Sequence, residues 1–159
     1  MRRLFVFAPA VLLLVSAMAQ AGARQDATVL MAPDPGLRKV QKDWGFADAV
    51  VTGDTIYLSG VVAWLAPGET DLRSAYVRAF EQIGATLKRA GASWDDVVEI
   101  TSFHTDLTTQ LPAMVEVKKS YMKEPHPAWT AIGVARLIPD RGLTEIRVIA
   151  KLRKKRSAH

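Results

Sequence analysis

The chain has 159 residues, 49% of them hydrophobic and 23% charged; that suits one domain with a proper core and argues against disorder. It has no cysteine, which excludes a disulfide framework, a thiolate metal site, a cysteine nucleophile and a lipid-anchored cysteine. The formal charge of +5 misleads, because seven of the 21 basic residues sit at the two ends: Arg2, Arg3, Lys151, Arg153, Lys154, Lys155 and Arg156. The other 14 face 16 acidic residues, so the body offers no basic nucleic-acid-binding face.

The start of the chain reads as a leader. Met1-Arg2-Arg3 supplies positive charge, Leu4 to Met18 is apolar but for Ser16, and small residues follow at Ala17-Met18-Ala19 and Ala21-Gly22-Ala23. These are the three parts of a secretory signal. The apolar stretch falls short of the ~20 residues that cross a bilayer. Residues 1–23 are therefore expected to be a signal peptide, cut after Ala19 or Ala23. The mature protein is then exported, most simply to a bacterial periplasm, without stable membrane insertion.

Residues 24–43 are polar and carry Pro33, Pro35 and Gly36, which suggests a flexible start with a short strand near Arg38–Lys42. Phe46–Val51 is a strand candidate. Thr52-Gly53-Asp54 is a tight turn, and the β-branched and aromatic run Thr55–Gly60 is the returning hairpin strand. Asp71–Ala90 is the clearest helix: Leu72, Ala75, Tyr76, Ala79, Phe80, Ile83 and Leu87 recur at three and four, one apolar stripe. Thr70 or Asp71 can cap it, and Gly91 stands where a helix ends. Val97–Thr105 reads as a strand. Leu111–Met122 reads as a second helix, with Pro112 in its first turn and Pro125 and Pro127 beyond its end. Ala128–Ala135 and Leu143–Leu152 are the last strands. The order β-β-α-β-α-β-β predicts an α+β layer, a single sheet with two helices on one face. The successive apolar residues Ala131-Ile132-Gly133-Val134 call for cover on the other face, and a second copy of a chain this short would supply it.

Four blocks in order resemble the RidA/YjgF family, formerly labelled endoribonuclease L-PSP. They are Gly53-Asp54-Thr55-Ile56-Tyr57-Leu58-Ser59-Gly60, Ala90-Gly91-Ala92-Ser93-Trp94-Asp95-Asp96-Val97-Val98, Pro127-Ala128-Trp129-Thr130-Ala131-Ile132-Gly133-Val134, and Leu143-Thr144-Glu145-Ile146-Arg147-Val148-Ile149-Ala150. The resemblance spans residues 44–152, with a basic tail at 153–159. It implies a chorismate-mutase-like fold, a homotrimer with pockets between subunits, and cofactor-free hydrolysis of imines and enamines to ketoacids and ammonia. It also implies that a glutamate on the last strand, here Glu145, positions or activates water.

Other family positions differ here. The arginine that binds the substrate carboxylate is replaced by Trp129, whose indole has one N–H and no charge. The usual tyrosine matches Phe46, the usual glutamine after Ser-Gly matches Val61, and the usual asparagine on the second helix matches Val115. The expected pocket thus keeps one acid, Glu145, as catalytic residue. Trp129, Phe46, Ser59, Val61, Val115 and Thr130 line it. With no carboxylate anchor in view, weak activity on iminoacids of ordinary amino acids is expected. Arg136 or Arg141 is a candidate replacement cation, each with an ordinary alternative as a solvated loop residue. His104 is a candidate base or a structural strand histidine. The three histidines, His104, His126 and His159, have no metal-ligand spacing, so no metal is expected, and the resemblance implies no other cofactor.

Two readings stay open: a hydrolase of a small imine, enamine or related C–N substrate, and a non-catalytic small-molecule binding protein on the same scaffold. A ribonuclease is disfavoured by the near-neutral body, and no nucleic-acid partner is expected.

Overall fold

The computed structural model describes residues 22–153. The leader, except for its last two residues, and the tail from residue 154 lie outside the described residues.

One seven-stranded sheet organises the molecule. Its strands are β1 (Thr28–Leu30), β2 (Ala49–Thr52), β3 (Thr55–Leu58), β4 (Val61–Trp64), β5 (Val97–His104), β6 (Ala128–Gly133) and β7 (Gly142–Lys151). They are ordered β1-β2-β3-β7-β5-β6, with β4 also paired to β7. Only the β5–β6 pair is parallel; its strands are joined by a helical crossover, the long connection a parallel pair needs. Helices α2 (Leu72–Arg89) and α3 (Leu107–Tyr121) cover one face, the α+β layering that the sequence predicts.

Helix α2 buries the expected stripe of Ala75, Tyr76, Ala79, Phe80, Ile83 and Leu87 against Ile56, Leu58, Ile100, Ile146 and Val148 of the sheet. Asp71 caps it by accepting the Arg73 and Ser74 N–H groups. Helix α3 starts four residues earlier than predicted, at Leu107, because the Asp106 carboxylate caps it from Thr109 N–H. Pro112 therefore lies inside the helix, not in its first turn.

The predicted strand at Arg38–Lys42 is wrong. A helix, α1 (Pro35–Trp44), occupies that segment. Asp34 accepts Leu37 N–H, Pro35 opens the helix, and Gly45 closes it at φ 74°, where a side chain is costly. The short strand β1 precedes it. Strand β4, also absent from the predicted order, continues β3 along the same edge of β7. From Tyr57 to Val61 there are four steps, but their β7 partners Ile149 and Ile146 are three apart. One extra residue is thus accommodated at Ser59-Gly60, a bulge between β3 and β4.

Strand alternation divides the sheet residues. Ile100, Ser102, His104, Thr144, Ile146 and Val148 are buried beneath the helices. Glu99, Thr101, Phe103, Glu145 and Ile149 lie half-buried on the opposite face, which no helix among the described residues covers.

Candidate functional site

The bulge sets the chemistry of the open face. Glu145 of β7 pairs with Val62 of β4, and its carboxylate lies directly over Gly60. A Cβ built on Gly60 would stand 1.8 Å from Glu145 Oε1 and 2.6 Å from its Cγ. Only glycine lets the carboxylate settle on the backbone there.

Glu145 borders a cavity of about 670 Å³ with Trp44, Phe46, Ser59, Gly60, Val62, Arg136, Leu137 and Ile138. Three elements build it. The end of α1 delivers Trp44 and Phe46. The bulge delivers Ser59 and Gly60. The β6–β7 connection delivers Arg136 to Ile138. The Ser59 hydroxyl donates to Ala47 O at 2.6 Å, tying the bulge to the turn after α1.

Three of the residues expected at the site, Glu145, Phe46 and Ser59, therefore meet in one cavity. Val61 borders an adjoining cavity of about 190 Å³ between α1, α2 and the bulge, which Phe46 and Ser59 also line. Trp129, Thr130 and Val115 line neither cavity.

Trp129 faces the helices, on the side of the sheet opposite Glu145. Its indole N–H donates to Ser102 Oγ at 2.9 Å, and Lys118 Nζ of α3 stands 4.8 Å from the ring centroid. Burial, with a smaller contribution from Lys119, pulls the Lys118 pKa down. The indole N–H is thus committed within the chain. Thr130 is exposed, and Val115 is half-buried on α3.

His104 is fully buried. Its Nε2 meets Ser102 Oγ at 2.9 Å and its Nδ1 meets Thr144 Oγ1 at 3.1 Å; Thr144 also meets the Tyr76 hydroxyl at 2.8 Å. Burial pushes the His104 pKa below its usual value, with Gln110 opposing. This closed network answers the question of the candidate base: His104 belongs to the core beneath the helices. Of the two candidate cations, Arg136 borders the Glu145 cavity, whereas Arg141 stacks over Trp64 at 4.1 Å.

Sequence reasoning missed Trp44, Gly60, Val62, Leu137 and Ile138. Trp44 and Ile138 do carry a signal, large apolar side chains in segments of turn composition. At the tail, Lys151 pairs with Asp54, and Arg153 with Asp95 and Asp96, so its first basic residues are anchored. Among the described residues no three His, Asp or Glu side chains cluster as a metal site, and no helix is long and apolar enough to cross a membrane.

The profile of the family described as endoribonuclease L-PSP matches residues 39–152. The chain belongs to this family, the RidA/YjgF family. It is 35% identical over 121 residues to the RutC family protein YjgH of Escherichia coli, covering 74% of this chain and 90% of that one. It is 32% identical over 110 residues to the human 2-iminobutanoate/2-iminopropanoate deaminase, covering 66% and 78%. The solved structure of protein YJGH superposes with a TM-score of 0.67 at 33% identity, over 80% of this chain and 97% of that chain. A Mycobacterium tuberculosis member of the YjgF/YER057c/UK114 family, 22% identical over 79% of this chain and 99% of its own, shares the fold with a TM-score of 0.68. Deamination of imines is thus an activity found within the family.

Proposed function

We propose that the Glu145 cavity hydrolyses an imine or enamine to a carbonyl compound and ammonia. The observation that carries this reading is the Glu145 carboxylate seated on Gly60 in a cavity with the Ser59 hydroxyl and an apolar rim. An enamine first tautomerises to the imine by protonation at carbon. Water then adds to the imine carbon. Glu145 takes the water proton as the C–O bond forms and passes it to the nitrogen, giving a carbinolamine. Glu145 then carries the carbinolamine hydroxyl proton to the amine nitrogen as the C–N bond breaks, which leaves the carbonyl compound, ammonia and the starting carboxylate. A positioned carboxylate in this role contributes roughly 10²–10⁴-fold.

The reading includes a homotrimer in which the exposed Thr130 of a neighbouring copy adds to the far wall of the cleft, while Trp129 and Val115 stay on the helix side of their own chain. The open sheet face supports it, as apolar and partly apolar residues there lack cover among the described residues. Export through the leader at residues 1–23 completes it. Substitution of Glu145 by Gln tests the catalytic part: turnover of an imine substrate falls by about 10² or more while ligand affinity is kept. Trp129 in place of the family arginine favours a second reading, a non-catalytic binding protein. In that case the unaltered protein turns over no imine, and Glu145→Gln changes nothing measurable.

A further inference from the structure

We infer that the cavity of about 190 Å³ between α1, α2 and the bulge is a second ligand site, which takes an uncharged molecule of one ring carrying one hydroxyl group. It does not depend on hydrolysis at Glu145. Val61 pairs with the buried Ile146 and faces the helices, whereas Val62 pairs with Glu145 and faces the open side of the sheet. The two cavities thus lie back to back at the sheet edge, with Phe46, Ser59 and Gly60 as their common wall. Of the two, only the helix-side cavity is bordered by Leu37, Val40, Leu58 and Thr86.

Polar struts hold this space open. On α1, Gln41 accepts Ala32 N–H at 2.7 Å and donates to Asp48 Oδ1 at 2.6 Å. Arg38 donates to Ala32 O and Pro33 O, each at 2.9 Å. From α2, Arg89 donates to Asp48 Oδ2 at 2.7 Å and to Met31 O. These bonds set the distance between α1 and α2, so α1 cannot settle onto the sheet. Leu37 and Val40 border the space yet keep 59% and 41% of their surface exposed. Protein interiors are otherwise close-packed, and walls beside an unfilled volume gain dispersion contacts from an apolar group that enters it.

The walls select the ligand. Ala32, Leu37, Val40, Leu58 and Val61 make the lining apolar. Most polar groups among them are committed within the chain. Asp48 is held by Arg89 and Gln41, the Ser59 hydroxyl donates to Ala47 O, and Thr86 donates to Gln82 O of its own helix. An anion entering here meets the Asp48 carboxylate, and a cation finds that carboxylate paired; a charge buried without a partner is costly. Gln82 differs: its side-chain amide has no hydrogen-bond partner among the described residues and is exposed at the rim, where it suits one hydroxyl. The volume near 190 Å³ matches a single ring, since an apolar cavity of roughly 150 Å³ binds benzene.

Amide NMR of the isotope-labelled full chain, titrated with benzyl alcohol, tests the site, with toluene, benzoate and benzylammonium as matched probes. Benzyl alcohol shifts the amides of Val40, Ser59, Gly60 and Thr86 saturably and leaves Trp129 and Thr130 unmoved. Benzoate and benzylammonium bind about tenfold or more weakly, as an unpaired buried charge requires. Q82A lowers benzyl alcohol affinity to that of toluene. V40F places a ring in the cavity and removes benzyl alcohol binding; L37F is the second filling variant, and near-UV circular dichroism reports whether each is folded. The map on the unaltered protein needs no variant: no saturable shift, or shifts centred on Trp44, Ile138 and Glu145, overturns the site. Undiminished binding to folded V40F or L37F overturns it as well. Equal affinity for a charged probe overturns the ligand class, and toluene binding as tightly as benzyl alcohol overturns the part assigned to Gln82.

Discussion

Glu145 and the space above Gly60 exclude any other side chain, and that fact yields a sharp test. Gly60→Ala places a methyl group where the carboxylate lies, so Glu145 must swing away. The expected result is loss of turnover comparable to Glu145→Gln, with unfolding free energy changed by less than about 2 kcal/mol; steady-state kinetics beside a urea titration check it. His104 acts on stability instead. Its folded pKa is depressed from 6.5 by burial, so below about pH 6.5 the unfolded chain takes up a proton that the folded chain refuses. Stability is fully retained above that pH and falls as pH drops toward the folded pKa. The depressed carboxylates, Glu69 at about 2 under the pull of Arg78 among them, titrate lower and act in a more acid window. Urea midpoints between pH 5 and 7.5 should decline on the acid side, and His104→Gln should flatten that decline.

Helix α1 shows how an element with few buried residues can still hold a site together. Gln41 is its one buried side chain. Its Oε1 accepts Ala32 N–H at 2.7 Å, and its Nε2 donates to Asp48 Oδ1 at 2.6 Å. Asp48 in turn pairs with Arg89 of α2 at 2.7 Å, and Arg89 also donates to Met31 O. This chain of contacts clamps α1 to α2 and fixes the turn that presents Trp44 and Phe46. Gln41→Ala leaves the Ala32 donor without its partner, a cost of about 1–3 kcal/mol. Chemical denaturation should register that loss, accompanied by weaker ligand binding as the cavity's apolar wall loosens.

The molecule as a whole is half covered. Helices seal one face of the sheet, and the other presents Tyr57, Phe103, Glu145, Arg147, Ile149 and Ile132. Ile132 sits on the edge strand β6, opposite Phe103. If three copies cover one another there, Ile132→Lys should shift sedimentation from three protomer masses toward one, since an ammonium buried at an apolar contact is strongly disfavoured. The same variant should then lose imine turnover while its protomers stay folded.

Much of this was legible in order along the chain. The α2 stripe, the Gly53 turn, and the strands at Val97 and Leu143 follow from periodicity and punctuation, which report on neighbours three, four or two residues away. Helix α1 escaped because Pro33, Pro35 and Gly36 read as breakers, although Asp34-Pro35 and Gly45 are start and stop signals. Sequence by itself therefore determined two of the three helices, five of the seven strands, the layering and the family. Which face of the sheet each side chain takes, and what lies across from it, was decided only in three dimensions. Trp129 and Glu145 stand on adjacent signatures yet opposite faces, and Arg136 borders the Glu145 cavity from the β6–β7 connection. Such meetings depend on strand register and on a one-residue bulge, and a single step of register turns every side chain to the other face.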